Sequence, residues 1–171
     1  MLEFIKIWLL CIGAAIAYGI VHDQFTARIC VEYFTVYHPP VLQTTDPTLL
    51  ALGWGVIATW WVGFLLGLPL ALLSRVGKWP QQTAADLCKP LLMLTMTMAT
   101  FALICGFLGY RNAVAHHQSD FECRLLTDKC AHLASYAIGE LGGIVLCGMV
   151  LLKRWKAGKI AAKSISNLHF Q

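Results

Sequence analysis

The chain has 171 residues, 58% of them hydrophobic and only 13% charged, with a formal net charge of +4. A soluble domain is typically about 25% charged, so the composition excludes an ordinary water-soluble protein and predicts an all-α integral membrane protein lying in the lipid bilayer. The positive residues cluster near predicted helix ends, which speaks against a nucleic-acid surface, and the length suits one domain, 1–171.

The first apolar stretch runs from Phe4 to Val21. Lys6 before an apolar core and the Ala15-Ile16-Ala17 tripeptide resemble a secretion signal. We read the segment as an uncleaved first membrane span. His22-Asp23 follows at its end. Asp23 can orient an imidazole, although adjacent helical residues point about 100° apart and need not act together. Arg28 and Glu32 stand at i, i+4 and predict a salt bridge. Val31–His38, rich in aromatic and β-branched residues, reads as extended or interfacial, with His38 as a loop residue before Pro39-Pro40.

Asp46-Pro47 places a capping acid before a proline at the first helical position. It opens the second span, Pro47–Leu73. Gly55, Thr59, Gly63, Gly67 and Ala71 form an i, i+4 ridge of small residues there. Such ridges let helix backbones approach within a bundle, or meet a partner membrane helix or a second copy of the chain. Trp54, Trp60, Trp61 and Trp79 supply candidate interface anchors. Thr83 and Asp86 resemble a capping box before the third span, Leu87–Tyr110.

Beyond it, Arg111–Glu122 contains His116, His117 and Asp120. If the third helix continues outward, His116 and Asp120 share one face at i, i+4 and offer two ligands to a divalent metal. Cys123 and Cys130 lie in the same predicted loop and predict a disulfide. Thr127-Asp128 is a candidate cap for the fourth span, His132–Leu152. On that span His132, Tyr136 and Glu140 stand at i, i+4, i+8, a polar stripe descending into the membrane. A carboxylate such as Glu140 within a span usually faces the bundle interior or a water-filled cavity. Ser135, Gly139, Gly143 and Cys147 form a second small ridge. Five basic residues, Lys153 to Lys163, make a headgroup-anchoring tail. The closing Asn167–Gln171 stretch resembles a protease-tag remnant without its tyrosine and reads as functionally silent.

Each span approaches or exceeds the ~20 residues that cross a hydrocarbon core, so the expected fold is a four-helix transmembrane bundle. The excess of Lys and Arg in the 74–89 loop and the tail places both termini in the cytoplasm. In a bacterium this is an inner-membrane protein with its histidine-rich loops toward the periplasm. Five of the six histidines then fall on the outer side, together with six acids. His22, His116, His117 and His132, with Asp120, are the candidate metal ligands. Glu140 or Asp23 is the candidate general base, with Tyr136 beside them. Imidazole and carboxylate suit zinc, iron or manganese, and histidines near the water interface favour an ion over a buried haem. These features predict a metal-dependent membrane enzyme acting on a lipid or small molecule. The alternatives are a transporter, channel or proton-relay subunit using Glu140, and a noncatalytic assembly or scaffold protein.

Overall fold

The computed structural model describes the backbone of residues 1–168 and the side chains through residue 163. Of the 167–171 stretch, residues 169–171 lie entirely outside that range, as do the side chains of Asn167 and Leu168. The described residues are helical throughout their main elements: α1 Leu2–Ile29, α2 Glu32–Thr35, α3 Pro47–Ile57, α4 Trp60–Arg75, α5 Ala84–Ala115 and α6 Asp120–Leu168. Four helical stretches are long and apolar enough to cross a membrane: Leu2–Ile29, Pro47–Arg75, Ala84–Ala115 and Asp120–Lys163. These fit a membrane protein, in which helices satisfy their own backbone hydrogen bonds.

The elements extend past the apolar runs that predicted them, because capping decides where a helix starts. At α3, Asp46 accepts from the Leu49 amide with Pro47 in the first turn. At α5, Thr83 and Asp86 form the reciprocal capping box. The fourth span starts twelve residues before His132, at Asp120. Its cap is Ser119: the Ser119 amide and hydroxyl donate to Glu122, and the Glu122 amide donates back to Ser119 Oγ. Thr127, expected as the cap, instead sits inside the helix and donates to the Cys123 carbonyl.

The second span is broken. Thr59 donates its hydroxyl to the Gly55 carbonyl, four residues back, a bond that bends helices. α3 ends at Ile57 and α4 begins at Trp60. The break lets both halves follow α1. At the closest crossing, a Cβ on Gly55 would lie 2.6 Å from the Ile20 backbone, and one on Gly63 2.7 Å from Ile12 Cα. The ridge on the second span is therefore filled by α1 of the same chain. On α6, Gly139 meets Met98 of α5 and Gly143 meets Leu66 of α4.

α1 pairs with α3 and α4, α5 pairs with α6, and lighter α4–α6 and α1–α5 contacts join the two pairs. One apolar core, including Ile7, Leu70, Leu87 and Leu146, lies toward the end where α4 meets α5. A second, of Ala27, Phe34, Leu50, Ala51 and Trp54, lies at the opposite end. Trp54 is thus a core residue rather than an interface anchor. Arg154, expected in the exposed basic tail, is buried. Its guanidinium donates to the carbonyls of Leu73, Val76, Trp79 and Pro80, tying the α4–α5 loop to α6.

Candidate functional site

The second core closes over a largely apolar cavity of about 80 Å³ into which a few polar side chains are set. α1 contributes Tyr18 and His22, one helical turn apart on one face, and the adjacent Asp23. α6 contributes His132, Ser135 and Tyr136 at the matching spacing. Tyr33 of α2 and His38 after it roof the cavity, with Trp54 of α3 at the side.

His132 is the centre. Its Nδ1 lies 2.9 Å from the Asp128 carbonyl oxygen. A carbonyl only accepts, so Nδ1 carries the proton and Nε2 keeps the lone pair in neutral imidazole. That Nε2 is 3.3 Å from Asp23 Oδ1, and both side chains are largely buried. His22 Nε2 is 3.4 Å from His132 Nδ1, and the two rings meet edge to face. His22, Asp23 and His132 each place one ligand atom within 4.8 Å of the others, a group that could hold a metal ion.

The surroundings fix these rings. Tyr33 stacks on His132 with centroids 4.6 Å apart, and Tyr18 stacks on His22 at 5.7 Å. The Tyr18 hydroxyl pairs with Ser135 at 2.7 Å. His38 Nδ1 lies 2.7 Å from the Tyr33 carbonyl, so by the same reasoning His38 also keeps a free Nε2. Its ring packs against Trp54 and lies within electrostatic reach of Asp23. Burial pushes the Tyr33 hydroxyl up to about 12, so it stays neutral. Burial, and then the hydrogen bond to Glu32, also raise the Cys30 thiol above its ordinary range.

Other predicted site residues lie elsewhere. α5 ends at Ala115, His116 caps it, and His117 takes a positive φ of 53° in the turn. The turn to α6 separates His116 from Asp120, so they do not share a helix face. All three are exposed, and Asp120 pairs with Arg124 at 3.3 Å. Glu140 is exposed on the side of α6, and Gly139 lines the cavity in its place. The stripe through His132 and Tyr136 therefore stops one turn above Glu140.

Cys123 and Cys130 are free thiols. They stand seven residues apart on one helix, a rise of about 10 Å, beyond the ~7 Å between Cα atoms that a disulfide spans. Arg28 bonds Gln24 and Thr48 rather than Glu32, because α1 ends between them. Glu32 faces Arg124 instead.

Tyr33 and His38 are the pocket residues that sequence reasoning undervalued, and Asp128, whose backbone carbonyl holds His132 from outside the lining, is a third undervalued residue. Asp128 and His132 stand at i, i+4, a signal that takes meaning only because α6 starts at Asp120 rather than at His132. Comparison with protein families, curated proteins and solved structures gives no match.

Proposed function

We propose that the chain is a membrane protein whose buried pocket binds one divalent transition metal, zinc foremost, through His132, Asp23 and His22. His38 stands by as a further nitrogen. The observation that carries this reading is the facing of His132 Nε2 and Asp23 Oδ1 at 3.3 Å. With Nδ1 committed to a backbone carbonyl, these two electron-rich atoms require a proton or a cation between them. A charge-assisted N–H···O bond is shorter, about 2.7–2.9 Å. Two tetrahedral ligands held ~2.0–2.2 Å from zinc lie about 3.4 Å apart, close to the separation here. The carbonyl bonds on His132 and His38 are the kind that orient metal-bound imidazoles.

Three protein ligands leave a fourth position for water or substrate, the arrangement of hydrolytic zinc centres. We read the activity as metal-assisted chemistry on a lipid or small molecule, at the end of the bundle facing away from the basic tail. The rival proton-path reading relied on Glu140, which lies outside the pocket.

Elemental analysis of protein purified without a metal-affinity tag tests the proposal. One metal per chain is expected, lost in Asp23→Ala and His132→Ala and kept in His116→Ala. Absence of stoichiometric metal after reloading, with unchanged thermal unfolding in chelator, overturns it.

A further inference from the structure

α1 and α5 touch only lightly, and a groove of about 720 Å³ lies between them. It runs along α5 from Cys88 to Phe107, nineteen residue steps or about 28 Å at 1.5 Å per residue. Its apolar walls include the exposed side chains of Leu92, Met96 and Leu103. At the pocket end the lining turns polar, with His22 and Asp128, and Tyr18 and His22 belong to groove and pocket alike. A long apolar slot ending in polar groups has the shape of an amphiphile lying parallel to the helices.

The head group is specified by one buried atom. Among the described residues, the hydroxyl of Tyr18 pairs with Ser135, and Thr26, Thr95 and Thr127 donate to carbonyls of their own helices. His22 meets His132. Asp128 is 1% exposed, and its Oδ2 has no hydrogen-bond partner. Leaving such an atom unpaired is costly. A carboxylate there needs a donor, and a protonated carboxyl needs an acceptor. A hydroxyl can serve as either, whereas an ammonium serves only the first and a phosphate or ester carbonyl only the second.

We infer that the α1–α5 groove binds a neutral lipid with one long chain and a hydroxyl head group, its hydroxyl on Asp128 Oδ2 beside His22. This extends the proposed function by naming a substrate class, yet the groove stands without a metal. Asp128 holds His132 through its backbone carbonyl, so changing its side chain leaves that contact in place.

The test is equilibrium binding of radiolabelled monoolein and of oleate to the detergent-purified chain, with and without chelator. Monoolein is expected to bind at least tenfold more tightly than oleate, which shares the tail but carries a carboxylate. Asp128→Ala should remove that preference while metal content is unchanged, and Asp128→Asn, which keeps donor and acceptor, should retain it. Ala17→Trp and Ala99→Trp, from opposite walls, should each block both ligands. Equal binding of the two lipids by the wild type overturns the inference, as does an undiminished preference in Asp128→Ala. Absence of stoichiometric metal from the reloaded, chelator-free chain, with the lipid preference intact, would instead count against the metal proposal alone.

Discussion

At the scale of single residues, the pocket is a set of polar atoms that burial forces to find partners. Asp23 and His132 are each other's partner, so removing one strands the other in an apolar surrounding. Asp23→Ala should cost about 3–5 kcal/mol, read from chemical unfolding in detergent, and Asp23→Asn less. Tyr33 gives a pH-dependent test. Its pKa rises from about 10 in an unfolded chain to about 12 in the fold. The neutral form is thus favoured by folding: the contribution is complete below about pH 10 and is lost as the pH climbs through 12. Tyr33→Phe should flatten the alkaline fall in stability over that window; an unchanged slope would show that Tyr33 is not held neutral. Arg154 is decided by geometry as much as charge, since its planar fork reaches four carbonyls at once. Arg154→Lys should therefore fail to restore the stability lost in Arg154→Ala, about 3 kcal/mol if the freed carbonyls stay dry. Full rescue by lysine would reduce the contact to a simple point charge.

At the scale of elements, caps and close crossings matter more than propensity. Ser119→Ala should weaken the start of α6 by about 1 kcal/mol, seen as a lower unfolding temperature without loss of metal. Gly55→Leu belongs to another class. Its new side chain meets the backbone of Ile20 at 2.6 Å from Cβ onward, where no rotamer change relieves the clash. Overpacking of this kind costs about 1–3 kcal/mol, and the shift would carry α1 and its His22-Asp23 pair away from α6. Metal binding should fall together with stability in this variant. The N-cap of α3 and the capping box of α5 were legible in the chain as Asp46-Pro47 and Thr83–Asp86. The Ser119–Glu122 box is equally present in the chain, directly after the polar His116-His117-Gln118 run, whose composition favours a loop. With α6 starting there, Cys123 and Cys130 became helical neighbours two turns apart instead of a disulfide, and His116 and Asp120 lost their shared face.

At the scale of the whole molecule, stability and occupancy should be linked, because a ligand held only by the folded chain stabilises it by mass action. Zinc at a hundred times its dissociation constant should add about 2.7 kcal/mol, measured as a chelator-reversible rise in unfolding temperature and absent from His132→Ala. Hydrophobic run length alone determined the four membrane-competent helices, since crossing a hydrocarbon layer demands ~20 apolar residues and internally satisfied backbones. Local spacing also determined that His132 and Tyr136 share a face, and the small ridges foretold close helix contacts. Which polar residues meet was decided by tertiary structure. Helical periodicity fixes a side chain's direction around its own axis, but not which neighbouring helix that direction faces. The pairing of α1 with α3 and α4 turns Asp23 toward His132, folds Tyr33 and His38 over both, and leaves Glu140 on the outer surface.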